Sequence, residues 1–189
     1  QRQMCIRDST ARWSDIDLEA GTWTCPESAM KVKGRGIFVV LLSTAAIRLL
    51  KSLPRMANTD LVFPSPYQHK VMSDTGLGQI VGDMNKQAKK QGLPMWLDKA
   101  QTETLGKDIR ITVHGTSRAT FKTWTKLDAN LKRFDRDAVE LCLAHKLDDG
   151  YGGAYDRAAM VEERRRIMDA WGEFCCSKLN QPAKLRRKG

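Results

Sequence analysis

The sequence predicts an α+β fold that is mostly α-helical, with one small three-stranded antiparallel sheet near the N-terminus. Two observations carry that prediction. Short strand-like stretches broken by turn residues fill residues 14–42, and beyond Ser43 apolar residues recur at helical spacing between caps and breakers. Composition sets the scale: 189 residues, 41% hydrophobic and 29% charged, suffice for a domain with its own core.

Residues 1–10 fit neither period and read as a foreign or truncated end, 11–178 as one domain, and 179–189, with Lys184-Leu185-Arg186-Arg187-Lys188, as a basic disordered tail. Ser14-Asp15-Ile16-Asp17 alternates like a strand, Glu19-Ala20-Gly21 supplies a turn, Thr22-Trp23-Thr24-Cys25 forms a second strand, and Lys31 to Leu42 a third. Within the third, Ile37-Phe38-Val39-Val40-Leu41-Leu42 is apolar throughout, which predicts a buried strand and is too short to cross a bilayer. Ser43 is placed to cap a helix from Thr44 to Leu53, with Ala46, Ile47, Leu49 and Leu50 on one side and Pro54 closing it. Ser73-Asp74 starts a second helix towards Lys90, stopped by Gly92 and Pro94, and the mixed, polar residues 95–112 predict a loop. Further helices are expected from His114 to Leu127, from Asp135 as N-cap through Leu143, and from Ala158 to Lys178. In the last, Glu162-Glu163-Arg164-Arg165-Arg166 is assigned to the wet side and Ile167, Met168 and Trp171 to the dry side.

Thirty-two Lys and Arg against 22 Asp and Glu leave a formal charge of +10, which favours a polyanionic partner because neutralised phosphates release condensed counterions. The five cysteines include no CxxC pair and no histidine at metal-ligand spacing, so a reduced, cytoplasmic setting is expected and a structural zinc is not. Nothing marks secretion or membrane anchoring. There is no GxxxxGK[ST] loop, and Gly76-Leu77-Gly78-Gln79-Ile80-Val81-Gly82 has the wrong spacing for a dinucleotide fingerprint, so no nucleotide cofactor is expected.

His114-Gly115-Thr116-Ser117-Arg118 sets an imidazole and a guanidinium four residues apart, which on a helix puts both on one face. The planar guanidinium can hold two phosphate oxygens while the imidazole exchanges a proton near neutrality. By itself the spacing is common, and a capping histidine beside a surface arginine would account for it. His145 closes the fourth helix; ten residues later, across Asp149-Gly150-Tyr151-Gly152-Gly153, comes Tyr155. A tyrosine hydroxyl, with an ordinary pKa of about 10, becomes a nucleophile when cations stabilise its phenolate, and His114, Arg118 and His145 are available for that.

The string Val113-His114-Gly115-Thr116-Ser117-Arg118-Ala119-Thr120-Phe121-Lys122-Thr123-Trp124, then Val139-Glu140-Leu141-Cys142-Leu143-Ala144-His145, then Ala154-Tyr155-Asp156-Arg157, resembles the catalytic box of tyrosine recombinases, most of all the integrases of prophages and genomic islands. Arg12-Trp13-Ser14-Asp15-Ile16-Asp17, Met30-Lys31 and Val62-Phe63-Pro64-Ser65 resemble that family in the same order, so the similarity covers residues 11 to 175. The resemblance implies a tyrosine recombinase catalytic domain in which Tyr155 attacks the scissile phosphate and forms a 3′-phosphotyrosyl bond. It implies that Arg118 and His114 stabilise the transferring phosphate, that His145 is a further phosphate ligand, and that Lys31 protonates the leaving 5′-oxygen, with Lys33 its close competitor. It also implies double-stranded attachment-site DNA as partner, a homo-oligomer on that DNA, in the family a tetramer, and no metal or nucleotide cofactor. One departure is large. The family's first catalytic arginine falls at Met4, and neither Arg2 nor Arg7 is in register. Losing one preorganised donor costs on the order of 2.7–4 kcal/mol of transition-state stabilisation, so a catalytically impaired, DNA-binding fragment is the alternative. The His114–Arg118 interval is also one residue longer than the commonest form of the motif, and Leu41 stands where relatives often carry proline.

Overall fold

In a computed structural model, which describes residues 9–30, 36–65, 70–73, 76–145 and 160–177 and the backbone alone at 77 and 113–116, one aspartate organises the first strands. Asp17 Oδ1 accepts from the backbone N–H groups of Glu19 (2.9 Å) and Ala20 (2.8 Å), and Gly21 takes the left-handed φ of 64° that completes the turn. The turn joins β1 (Ile16–Asp17) to β2 (Thr22–Cys25) antiparallel, with Ile16 opposite Trp23 and Asp17 opposite Thr22. β3 (Phe38–Leu41) completes a sheet of order β1-β2-β3. Everything else regular among the described residues is helical, so the fold is α+β as expected.

The strands are shorter than their sequence signals. Trp13–Asp15 is a 3₁₀ turn ahead of β1, and β3 starts at Phe38 while residues 31–35 lie outside the described ones. Nor is the apolar run a fully buried strand. Leu41 and Leu42 are 4% and 8% exposed, but Ile37 is 69% and Val39 37% exposed. The burial does not follow one face, since Leu41 shares the side of Ile37 and Val39 in the two-residue period; the run is exposed at its start and buried at its end, where it leads into Ser43.

The chain divides into two compact units, the first comprising Gln1–Ser14, Cys25–Ile37 and Arg55–Trp124, the second Asp15–Thr24, Phe38–Pro54 and Thr125–Gly189. In the first, Trp13 is buried under the Arg55 guanidinium, 4.6 Å from the ring centroid, while Ser14 Oγ donates to Asp60 Oδ2 at 2.6 Å. Three helices follow: α2 (Gly76–Lys90), α3 (Lys99–Leu105) and α4 (Val113–Thr125). Gly92, at φ 64°, ends α2 in a Schellman turn, Leu93 N–H donating to Ala88 O and Gly92 N–H to Lys89 O. Asn85 then clamps the outgoing chain, accepting from Trp96 N–H (2.7 Å) and donating to Trp96 O (3.3 Å). The expected loop 95–112 contains α3. Its apolar residues make no stripe and none is buried, so periodicity is silent there; Asp98, accepting from Gln101 N–H, and Gly106 at φ 63° mark its ends instead.

In the second unit, Ser43 caps α1 (Thr44–Ser52), accepting from Ala46 N–H at 3.1 Å. Leu50 is buried, but Leu49 is 60% exposed, so the apolar side is narrower than expected. α5 (Asp128–Leu131) is a single turn not anticipated from the pattern; α6 (Arg136–Cys142) is capped by Asp135, which accepts from Asp137 and Ala138 N–H groups. α7 (Val161–Cys176) packs on α1, α6 and β3, with Ile167 fully buried. Asp169 of α7 accepts from Thr44 N–H and Oγ1, at 2.7 and 3.0 Å, adding a second cap to α1. The arginine run of α7 is not simply a wet face. Arg164 donates to Val39 O (2.7 Å), Arg165 to Ala20 O (3.2 Å) and Arg166 to Arg133 O (2.7 Å), so three consecutive guanidinium groups fasten the helix to the sheet and to the approach to α6. Among the described residues no helix is long and apolar enough to cross a membrane.

Candidate functional site

His145 owes its position to the way α6 ends. Cys142 is the last helical residue, and Ala144 adopts a left-handed φ of 57°. His145 N–H then donates to Glu140 O (3.0 Å) and Ala144 N–H to Leu141 O (3.1 Å), the two bonds of a Schellman turn. Alanine here occupies the place that Gly92 fills at the end of α2, where a Cβ is disfavoured. The turn folds the imidazole back over the last turn of α6, where Nδ1 meets Glu140 Oε2 at 2.5 Å. Both side chains retain solvent exposure.

Glu140 is a functional candidate that the sequence reading did not single out. Its partner lies five positions away, a separation that the one-face rule of a continuous helix does not pair; the left-handed turn at Ala144 brings them together.

His114 and Arg118 both fall within α4, so their four-residue spacing acts on a helix as expected. The same helix is anchored by Phe121 and Trp124, each 5% exposed, with ring centroids 6.0 Å apart, and Arg118 is half-buried at the border of that anchored side. Arg118 belongs to the first unit and His145 to the second. Tyr155, Lys31 and Lys33 lie outside the described residues, as do Met4 and the tail beyond 178.

Behind His145, the Cys142 thiol is pushed up to about 11 by burial, against the opposing pull of the Arg164 guanidinium, so it is a neutral packing group at neutral pH. Glu163 in the first turn of α7 is held below the usual carboxylate range by its hydrogen bonds from Arg166, and it also accepts from Asp135 N–H at 3.2 Å. Among the described residues no group of three or more His, Cys, Asp or Glu side chains is arranged to hold a metal ion.

No family model matches the chain. IntB of Escherichia coli (strain K12) is 27% identical over 177 residues, covering 87% of this chain and 39% of that protein. The prophage integrase IntZ of the same strain is 29% identical over 163 residues, covering 86% of this chain and 34% of that protein. The chain is distantly similar to prophage integrases. The chain spans between a third and two fifths of the length of the curated relatives it matches. A crystal structure of XerA recombinase aligns with 94% of the chain and 52% of its own at 12% identity, with a TM-score of 0.47.

Proposed function

We propose that this chain carries out site-specific DNA recombination, of the prophage or genomic-island integrase type, through residues 11–178 as its catalytic domain. Tyr155 Oη attacks the scissile phosphorus; the new O–P bond is the 3′-phosphotyrosyl link, and the P–O5′ bond breaks. The phenolic proton leaves to a base, and the departing 5′-oxygen takes a proton from Lys31, or from Lys33 if the turn register is shifted. Arg118 and His114 hold the phosphate while it is pentacoordinate, and His145 is a further ligand. The reaction conserves bond energy in the phosphotyrosine, so religation to another 5′-hydroxyl requires no external energy source. Double-stranded attachment-site DNA is the substrate, a tetramer on that DNA the working assembly, and the cytoplasm its location.

The observation that carries this reading is the ordered set His114 and Arg118 on one helix, His145 on the turn that ends another, and Tyr155 ten residues on, within a stretch distantly related to integrases. The net charge of +10 agrees with a polyanionic substrate. A second reading, a DNA-binding module without cleavage, is favoured by one specific feature: Met4 stands where the family's first catalytic arginine belongs.

The test is trapping on nicked duplexes drawn from the DNA that flanks the gene, so that cleavage releases a short strand and cannot reverse. The expected outcome is a covalent protein–DNA species absent from Tyr155→Phe. Salt-sensitive DNA binding with no such species would favour the binding-module reading.

A further inference from the structure

We infer that Glu140 is a positioning residue for His145, fixing which of its ring nitrogens carries the proton and which is presented to a phosphate. The inference rests on the reading of His145 as a phosphate ligand. Its physical basis is the contact between His145 Nδ1 and Glu140 Oε2, together with the Schellman turn that leaves little freedom in the backbone between them. A carboxylate only accepts, so the hydrogen bond requires the proton to sit on Nδ1. In a neutral ring, Nε2 is then the acceptor. To donate to a phosphate oxygen through Nε2 as well, the ring must hold both protons, and Glu140 then faces the cation at Nδ1 while the anion meets it at Nε2. The hydrogen bond made by one nitrogen thus dictates the chemistry of the other, as an orienting carboxylate does wherever histidine works as a ligand or acid.

The geometry also says why this glutamate and no neighbour does it. Glu140 is three residues from the C-terminal cap and is tied to His145 twice: its carbonyl receives the His145 N–H at 3.0 Å, and its carboxylate receives the ring. Backbone and side chain of one residue therefore fix both the position and the rotation of the imidazole. The other acidic residues of α6 and its cap are committed elsewhere or sit at its far end: Asp135 accepts from two N–H groups at the start of the helix, and Asp137 is in its first turn.

The experiment is long-range proton–nitrogen correlation spectroscopy on the full chain labelled with ¹⁵N-histidine, recorded at a pH where the rings are neutral. The chain has three histidines, so His145→Gln assigns the signal. Wild type is expected to show His145 protonated on Nδ1. Glu140→Gln, whose amide oxygen still accepts, keeps that tautomer; Glu140→Ala moves the proton to Nε2, the form usual for a free side chain. A wild-type His145 already protonated on Nε2, or a tautomer unchanged in Glu140→Ala, overturns the inference. The trapping assay supplies the functional arm: Glu140→Ala is expected to form the covalent species roughly 10–100-fold more slowly, the range seen when an orienting partner of a histidine is removed. Glu140→Gln should lie between it and wild type. A Glu140→Ala rate equal to wild type overturns the positioning role, whereas no covalent species from wild type overturns the cleavage reading and leaves the spectra to decide the tautomer.

Discussion

Replacing Gly172 by alanine should destabilise the protein although it replaces a poor helix former by the best one. Gly172 is buried inside α7, and propensity alone favours alanine there by about 0.8–1.0 kcal/mol. The added methyl would stand 2.6 Å from Ser43 Oγ, 2.9 Å from Ser43 Cβ and 3.3 Å from Ala45 Cβ. Rotating the serine hydroxyl aside does not solve the problem, because the Cβ remains too close and because Oγ is the N-cap acceptor of α1. Overpacking of this kind costs about 1–3 kcal/mol, and loss of the cap adds roughly 0.5–2 kcal/mol. Against the propensity gain, a net loss of about 0.5–4 kcal/mol remains. Urea unfolding followed by far-ultraviolet circular dichroism measures it. A Ser43→Gly background, which removes the clashing side chain while costing only a few tenths of a kcal/mol as a cap, should recover most of the loss. The reasoning fails if Gly172→Ala is as stable as wild type, or if the two substitutions simply add.

Ala144→Gly should act in the opposite direction. Relief of a left-handed alanine is worth roughly 1–2 kcal/mol, offset in part by the greater freedom of glycine in the unfolded chain, so a gain of about 0.5–1 kcal/mol and a midpoint raised by about 1–4 °C are expected; an unchanged or lower thermal midpoint refutes it. Cys142 gives a pH signature. Its folded pKa of about 11 lies above that of an exposed thiol, so its contribution to stability is complete below the unfolded value and is lost as pH rises towards 11. Cys142→Ala should therefore show a flatter decline of stability through that alkaline window, and identical slopes in the two proteins would refute the assignment.

Caps and breakers carried the legible part of the fold. Ser43, Asp135 and Gly92 each act where their side-chain chemistry predicts, and α1, α2 and α6 begin or end there accordingly. What periodicity could not show was structure without a buried stripe, such as α3, and burial that depends on neighbours, such as the exposed Val39 in β3 and Ile37 just before it. The candidate site was legible as residue types and spacings, with His114 and Arg118 on a helix and His145 at a helix end. Its tuning was not, because the Glu140–His145 contact exists only through a left-handed alanine that the sequence does not advertise.

The arginine run of α7 shows how a charge pattern can mislead and what it does instead. A lysine offers one flexible ammonium, whereas a guanidinium can satisfy a carboxylate and a carbonyl together, as Arg166 does with Glu163 and Arg133 O. Arg164 and Arg165 each donate from Nη2 to a single carbonyl, Val39 O and Ala20 O. By contrast Lys89 and Lys90 at the end of α2 are exposed, and exposed Lys86 pairs with Asp83 one turn earlier at 3.0 Å. Three arginines thus tie down the helix that follows residues 146–159, and a Schellman turn ties down His145 immediately before them. The described residues on either side of that segment, His145 and Met160, therefore both belong to the second unit and are held there by hydrogen bonds drawn from α6 and α7.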